Sequence, residues 1–117
     1  IIPTALGKSV RQFFDDGRLR TIPTKRTKRM AVLLVLVTRL EPRRTYPEAE
    51  VSRMLAEVHK DSAYLRRELV NVGCLRREAG ESTLAPAPPA RDARWTQEFP
   101  REEADVFAAL WQRTPQR

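Results

Sequence analysis

Four side chains at helical spacing carry the clearest chemistry in this chain. Lys60, Tyr64, Arg67 and Asn71 stand at i, i+4, i+7 and i+11, with Ala63 among them. At 100° per residue they share one stripe, while Leu65, Leu69 and Val72 fall on the other side as a core stripe. Cations interleaved with an aromatic ring and an amide can hold phosphates and read base edges. The same stripe also fits an ordinary solvated helix face, so the two readings compete. Two further basic groups could join it, the run Lys25-Arg26-Thr27-Lys28-Arg29 and the pair Arg76-Arg77. The candidate nucleic-acid-binding set is therefore Lys25, Arg26, Lys28, Arg29, Lys60, Tyr64, Arg67, Asn71, Arg76 and Arg77.

No enzyme site can be assembled beside it. The single histidine, His59, has Asp61 two residues away and Cys74 further on, short of the three or four protein ligands that zinc takes. His59 is expected to interact with the end of its own helix instead. The four glycines are scattered singly, so no glycine-rich phosphate loop exists, and Ser52 and Ser62 lack a nucleophile-elbow context. No catalytic residue, metal or cofactor is expected. One cysteine excludes an intramolecular disulfide and points to a reducing compartment; Cys74 lies in an apolar run and is expected to be a buried, inert thiol.

The length of 117 residues suits one domain, with or without a tail. An apolar fraction of 41% beside 32% charged residues fits a small globular protein rather than a disordered one. The net charge of +7 is local: residues 1–40 hold nine basic against two acidic side chains, whereas 41–80 carry +1 and 81–117 carry −1. Such a patch usually meets a polyanion. No signal-peptide pattern is present, and the longest apolar run, Ala31 to Val37, is too short to span a bilayer. A soluble, cytoplasmic protein without a membrane partner is expected. The chain begins on Ile rather than Met, as a processed, trimmed or partial product would.

The elements that must position these residues can be read in order. Residues 4–14 suggest a first helix capped by Thr4, with Leu6, Val10, Phe13 and Phe14 on one face. Asp15-Asp16-Gly17 ends it, and an extended connector runs to Pro23. Thr24 opens a second helix reaching about Thr38, with Met30, Leu33, Leu34 and Val37 as its core stripe. Four cations at its start oppose the helix dipole, which points to an anionic partner there. Thr45 and Glu48 have capping-box spacing for a third helix carrying Val51, Met54, Leu55 and Val58. After a very short break Asp61 or Ser62 caps the fourth, and Gly73 stops it. Arg66 and Glu68 flank its core stripe, where pairs with Glu48, Glu50 or Glu57 would use them.

Residues 74–78, 79–81 and 82–84 then read as strand, turn and strand. This order is that of a winged helix-turn-helix, with Arg76 and Arg77 on the wing. The expected architecture is a mainly α, winged-helix-like domain over 1–84, a stiff Pro/Ala linker over 85–99 and a final helix over 100–114. Val106, Phe107, Leu110 and Trp111 form one broad face of that helix. It should dock onto its own chain or onto a second copy, giving a homodimer through the terminal helices.

Four blocks also carry a family resemblance: Phe14 to Arg29, Arg44 to Val51, His59 to Val70, and Gly73 to Glu78. In order and spacing they resemble the bacterial domain-of-unknown-function family numbered 2087, over roughly residues 13–80. That family occurs alone or joined to helix-turn-helix domains, and its members are commonly labelled transcriptional regulators. The resemblance implies a small regulator of that kind. Ser52 stands where the family usually has Asn, and Thr83-Leu84 where it tends to have an aromatic pair, which leaves the length of the wing open.

A non-enzymatic DNA-binding regulator is the expectation, with DNA rather than RNA as the expected nucleic acid. Lys25, Arg26, Lys28, Arg29, Arg67 and Arg76 would contact phosphates, with Tyr64 and Asn71 nearer the bases. Six such contacts correspond to a log–log salt slope of about −5. The alternatives are a module whose basic face meets an acidic protein partner and an RNA- or ribosome-associated module.

Overall fold

The computed structural model describes residues 3–92 and 98–113. Helix α1 (Thr4–Val10) passes into a 3-10 turn (Arg11–Phe13), and strands β1 (Phe14–Asp15) and β2 (Arg18–Leu19) form a short hairpin. Helix α2 (Arg26–Val37), strand β3 (Thr45–Pro47), helix α3 (Glu48–Ala56) and helix α4 (Ser62–Asn71) follow. Strands β4 (Leu75–Glu78) and β5 (Glu81–Leu84) form a second hairpin, and helix α5 (Glu103–Trp111) closes the described chain. The three-stranded antiparallel sheet has the order β3-β5-β4. Thr45 pairs with Thr83, which pairs with Arg76 on its other side.

Helix α2 is the centre of the core. Met30, Ala31, Val32, Leu33, Leu34, Leu36 and Val37 are all buried, so it is covered nearly all round rather than along the single expected stripe. The anticipated faces of α3 and α4 hold: Val51, Leu55, Val58, Leu65, Leu69 and Val72 are buried. The terminal helices bury Leu6, Val10, Val106, Phe107 and Leu110 in the same core, and the Trp111 indole N–H donates to the Ala85 carbonyl at 2.8 Å. No described helix is long and apolar enough to cross a membrane.

Expectations for four elements are corrected. The first helix has Pro3 rather than Thr4 at its cap position and ends at Val10, and Phe14 instead pairs with Leu19. Asp16 and Gly17 both have positive φ, the conformation of a two-residue hairpin turn, for which Asp-Gly is a favoured sequence. The second helix starts at Arg26, with Lys25 as an N-cap that makes no side-chain cap bond. Thr45 does not cap α3, because the sheet claims it and Pro47 occupies the cap position. The last helix begins at Glu103 rather than Pro100. Of the expected linker, positions 93–97 lie outside the described residues, as does position 114 of the expected final helix.

Asp61 is the N-cap of α4 and accepts from the Tyr64 N–H at 3.4 Å. Gly73, at φ +81°, ends the helix, and a Cβ there would come within 2.6 Å of the Pro89 ring. Only glycine meets both demands. The β4–β5 hairpin keeps four residue pairs, from Leu75–Leu84 to Glu78–Glu81.

Cys74 is buried as expected, and burial pushes its thiol up to about 12, with Glu103 adding to the rise and Arg91 opposing it. The neutral thiol is therefore the form the fold favours. Its contribution is intact below the unfolded thiol value of about 8.5 and is lost as pH climbs toward the folded value. Between pH 8.5 and 10 the urea-unfolding free energy should fall by about 2 kcal/mol through this group. Cys74→Ala should remove that part of the pH dependence; equal slopes for both proteins would refute it.

Candidate nucleic-acid interface

Helices α3 and α4 are joined by a turn whose polar groups are mostly satisfied internally. The Val58 and His59 N–H groups both donate to the Leu55 carbonyl at 2.9 Å. The Asp61 N–H donates to His59 Nδ1 at 3.0 Å, so the imidazole bridges the gap between the helices. Arg66 braces them from the other side, its Nη1 donating to Ser52 Oγ at 2.5 Å. Arg66 thus uses a hydroxyl, not the carboxylates expected for it.

This frame sets the stripe. Ala63, Arg67 and Asn71 of α4 are exposed and Tyr64 is half-buried, while Lys60, also exposed, falls before the Asp61 N-cap and so outside the helical stripe expected for it. The side chains of Lys60 and Arg67 make no hydrogen bond or ion pair among the described residues. Tyr64 and Asn71 converge on one carboxylate: the Tyr64 hydroxyl donates to Glu68 Oε1 and Asn71 Nδ2 to Glu68 Oε2, each at 3.3 Å. Arg29 Nε lies 3.7 Å from Glu68 Oε1. Glu68 therefore ties α4 to α2 and is no partner of the acids on α3. The Tyr64 hydroxyl is raised above its ordinary value by burial first, then by the Glu68 charge, with Arg29 opposing.

The basic start of α2 is less open than its sequence suggests. Arg29 Nη1 donates to the Thr24 carbonyl at 2.9 Å and the Pro23 carbonyl at 3.2 Å, and its side chain is only 18% exposed. Its guanidinium is thus turned inward to hold the preceding loop. Arg26 pairs with Glu98. Lys28 is half-buried in a cleft that Glu98 and Glu102 also line, and Lys25 is exposed. The anionic partners that this end of α2 calls for are supplied in part by the chain itself.

The β4–β5 hairpin is charged but nearly neutral. Arg77 Nε lies 2.7 Å from Glu48 Oε1, and Glu78 and Glu81 line the same surface as Arg76 and Arg77. Arg76 is exposed. The β1–β2 hairpin differs. Arg18 and Arg20 line a cleft with His59 and Lys60, against one carboxylate, Asp15. Neither arginine belongs to the set expected from the sequence, although their i, i+2 spacing around the buried Leu19 puts them on one face of an extended segment. Among the described residues, no group of three or more His, Cys, Asp and Glu side chains could hold a metal ion.

Residues 18–83, more than half of the chain, match the sequence model of a family described as uncharacterized protein conserved in bacteria, DUF2087. No curated protein and no solved structure matches the chain.

Proposed function

The chain belongs to the DUF2087 family, and from that premise we propose that it is a small, non-enzymatic DNA-binding protein, a cytoplasmic regulator of transcription built as a winged helix-turn-helix. In this reading α3 and α4 are the helix-turn-helix, α4 enters the major groove, and β4–β5 is the wing. The observation that carries it is the outer face of α4. Arg67 projects from that face and Lys60 stands just before its N-cap Asp61, both unpaired among the described residues. The small Ala63 between them allows close approach to a groove floor.

The chemistry follows residue by residue. Arg67 has the planar fork that matches the two acceptors of guanine, and Lys60 is a point charge suited to a phosphate. Asn71 keeps its amide oxygen and one amide hydrogen for a base edge, while its bond to Glu68 holds the orientation. Tyr64, fixed by the same carboxylate, packs beside the groove. Lys25, Lys28 and Arg76 add phosphate contacts on the flanks. Arg29 supports the face from within, and Arg26 and Arg77 reach DNA by exchanging a carboxylate for a phosphate.

The test is equilibrium binding of the full chain to a labelled mixed-sequence DNA duplex, to an RNA duplex of the same length and to an acidic peptide. Micromolar binding to the DNA at moderate salt is expected. Preference for the RNA would move the reading to an RNA-associated module. Binding of the peptide alone would replace it with a protein-interaction module.

A further inference from the structure

We infer that the cleft between the β1–β2 hairpin and the α3–α4 turn seats a phosphodiester of the nucleic-acid backbone, making this hairpin the basic flank of α4. The inference rests on the DNA-binding reading and names a contact surface which that reading does not contain. The cleft measures about 340 Å3 and is lined by Asp15, Arg18, Leu19, Arg20, His59 and Lys60. Three cations against one carboxylate leave it electropositive. The surface beside β4–β5 balances two arginines with two glutamates.

The cleft is held rigidly. The Leu19 N–H donates to the Val58 carbonyl at 2.9 Å, and Arg18 Nη1 donates to the Glu57 carbonyl at 3.2 Å. These bonds cap the negative end of α3, which would otherwise repel an anion there. The Arg20 backbone is pinned by its N–H donating to the Phe13 carbonyl at 2.7 Å. Its exposed side chain has no partner among the described residues. Because His59 Nδ1 accepts from the Asp61 N–H, the ring proton of the neutral imidazole sits on Nε2, a donor suited to a phosphate oxygen. Lys60 belongs to this cleft and immediately precedes Asp61, the N-cap of α4. A backbone phosphate held here would therefore lie next to the groove that α4 enters.

The experiment compares the full chain with Arg20→Gln and Asp15→Asn on one DNA duplex across a salt series, alongside a titration of inorganic phosphate followed by NMR. Arg20→Gln should reduce the magnitude of the salt slope by about 1. Asp15→Asn should tighten binding by about threefold, an outcome that misfolding would not give. Duplex binding with both variants indistinguishable from the parent overturns the cleft and leaves the DNA reading standing. Absence of duplex binding overturns the DNA reading. The cleft is then judged on inorganic phosphate alone: saturable shifts at Arg20, His59 and Lys60 that vanish in Arg20→Gln support an anion seat, and their absence overturns it.

Discussion

Replacing Arg91 with alanine is expected to destabilise the protein by about 3–5 kcal/mol, because it leaves a buried carboxylate without its partner. Arg91 pairs with Glu103, and the two side chains are 15% and 11% exposed. Its Nη1 also donates to the Val72 carbonyl at 2.6 Å, and its guanidinium lies 3.8 Å from the centre of the Phe99 ring. One side chain thus ties the start of α5 to the end of α4. For a domain of this size the loss corresponds to a fall in the thermal midpoint of about 15 °C or more. The double replacement of Arg91 by Met and Glu103 by Leu should recover most of it, since a buried ion pair is often no better than a well-packed apolar pair. A single substitution that costs under about 1 kcal/mol would show that Glu103 finds water. The arginine would then not be what fixes α5.

The largest functional effect is expected from Lys60 and Arg67 together. Changing both to glutamine should weaken DNA binding by about 10- to 100-fold, one base-reading fork and one phosphate contact being lost. Both residues are exposed and unpaired among the described residues, so the thermal midpoint should stay within about 2 °C. This separation of binding from stability is the useful part. A core residue of the same helix, such as Leu65, would lose both at once, because it is fully buried. Unchanged affinity in the double variant would remove α4 as the contact helix, even if the protein still bound DNA by other surfaces.

Periodicity served the helices well and served their surroundings less well. The stripe Leu65, Leu69, Val72 was legible because a helix with one dry face must bury it, and Gly73 marked its end because only a left-handed residue fits there. Helix α2 was legible as a helix, but its second apolar side was not, since flanking elements far apart in sequence cover it. Residues 11–14 depart from the expected helix, whose spacing Phe13 and Phe14 merely continue, while the turn at 15–17 and the extended segment after it are as expected. The Asp16-Gly17 turn outweighs that spacing, and the Leu19 N–H finds the Val58 carbonyl some forty residues away. In the candidate site, exposure of Arg67 and Asn71 follows from helical phase alone, whereas Lys60 lies before the Asp61 N-cap and outside that phase. That Glu68 gathers Tyr64, Asn71 and Arg29 does not, because the pairing depends on how α2 crosses α4. For the same reason a charge run at 25–29 could be counted but not apportioned between solvent and Glu98.

The salt dependence of duplex binding by the unmodified chain tests the central claim most directly. With Arg29 turned inward and Arg67 reading a base, the phosphate contacts proposed are Lys25, Lys28, Lys60 and Arg76, joined by Arg26 and Arg77 when they exchange Glu98 and Glu48 for phosphates. Four to six contacts predict that log affinity falls with log salt at a slope between about −4 and −5. A slope near zero, or no duplex binding at low salt, would contradict the account.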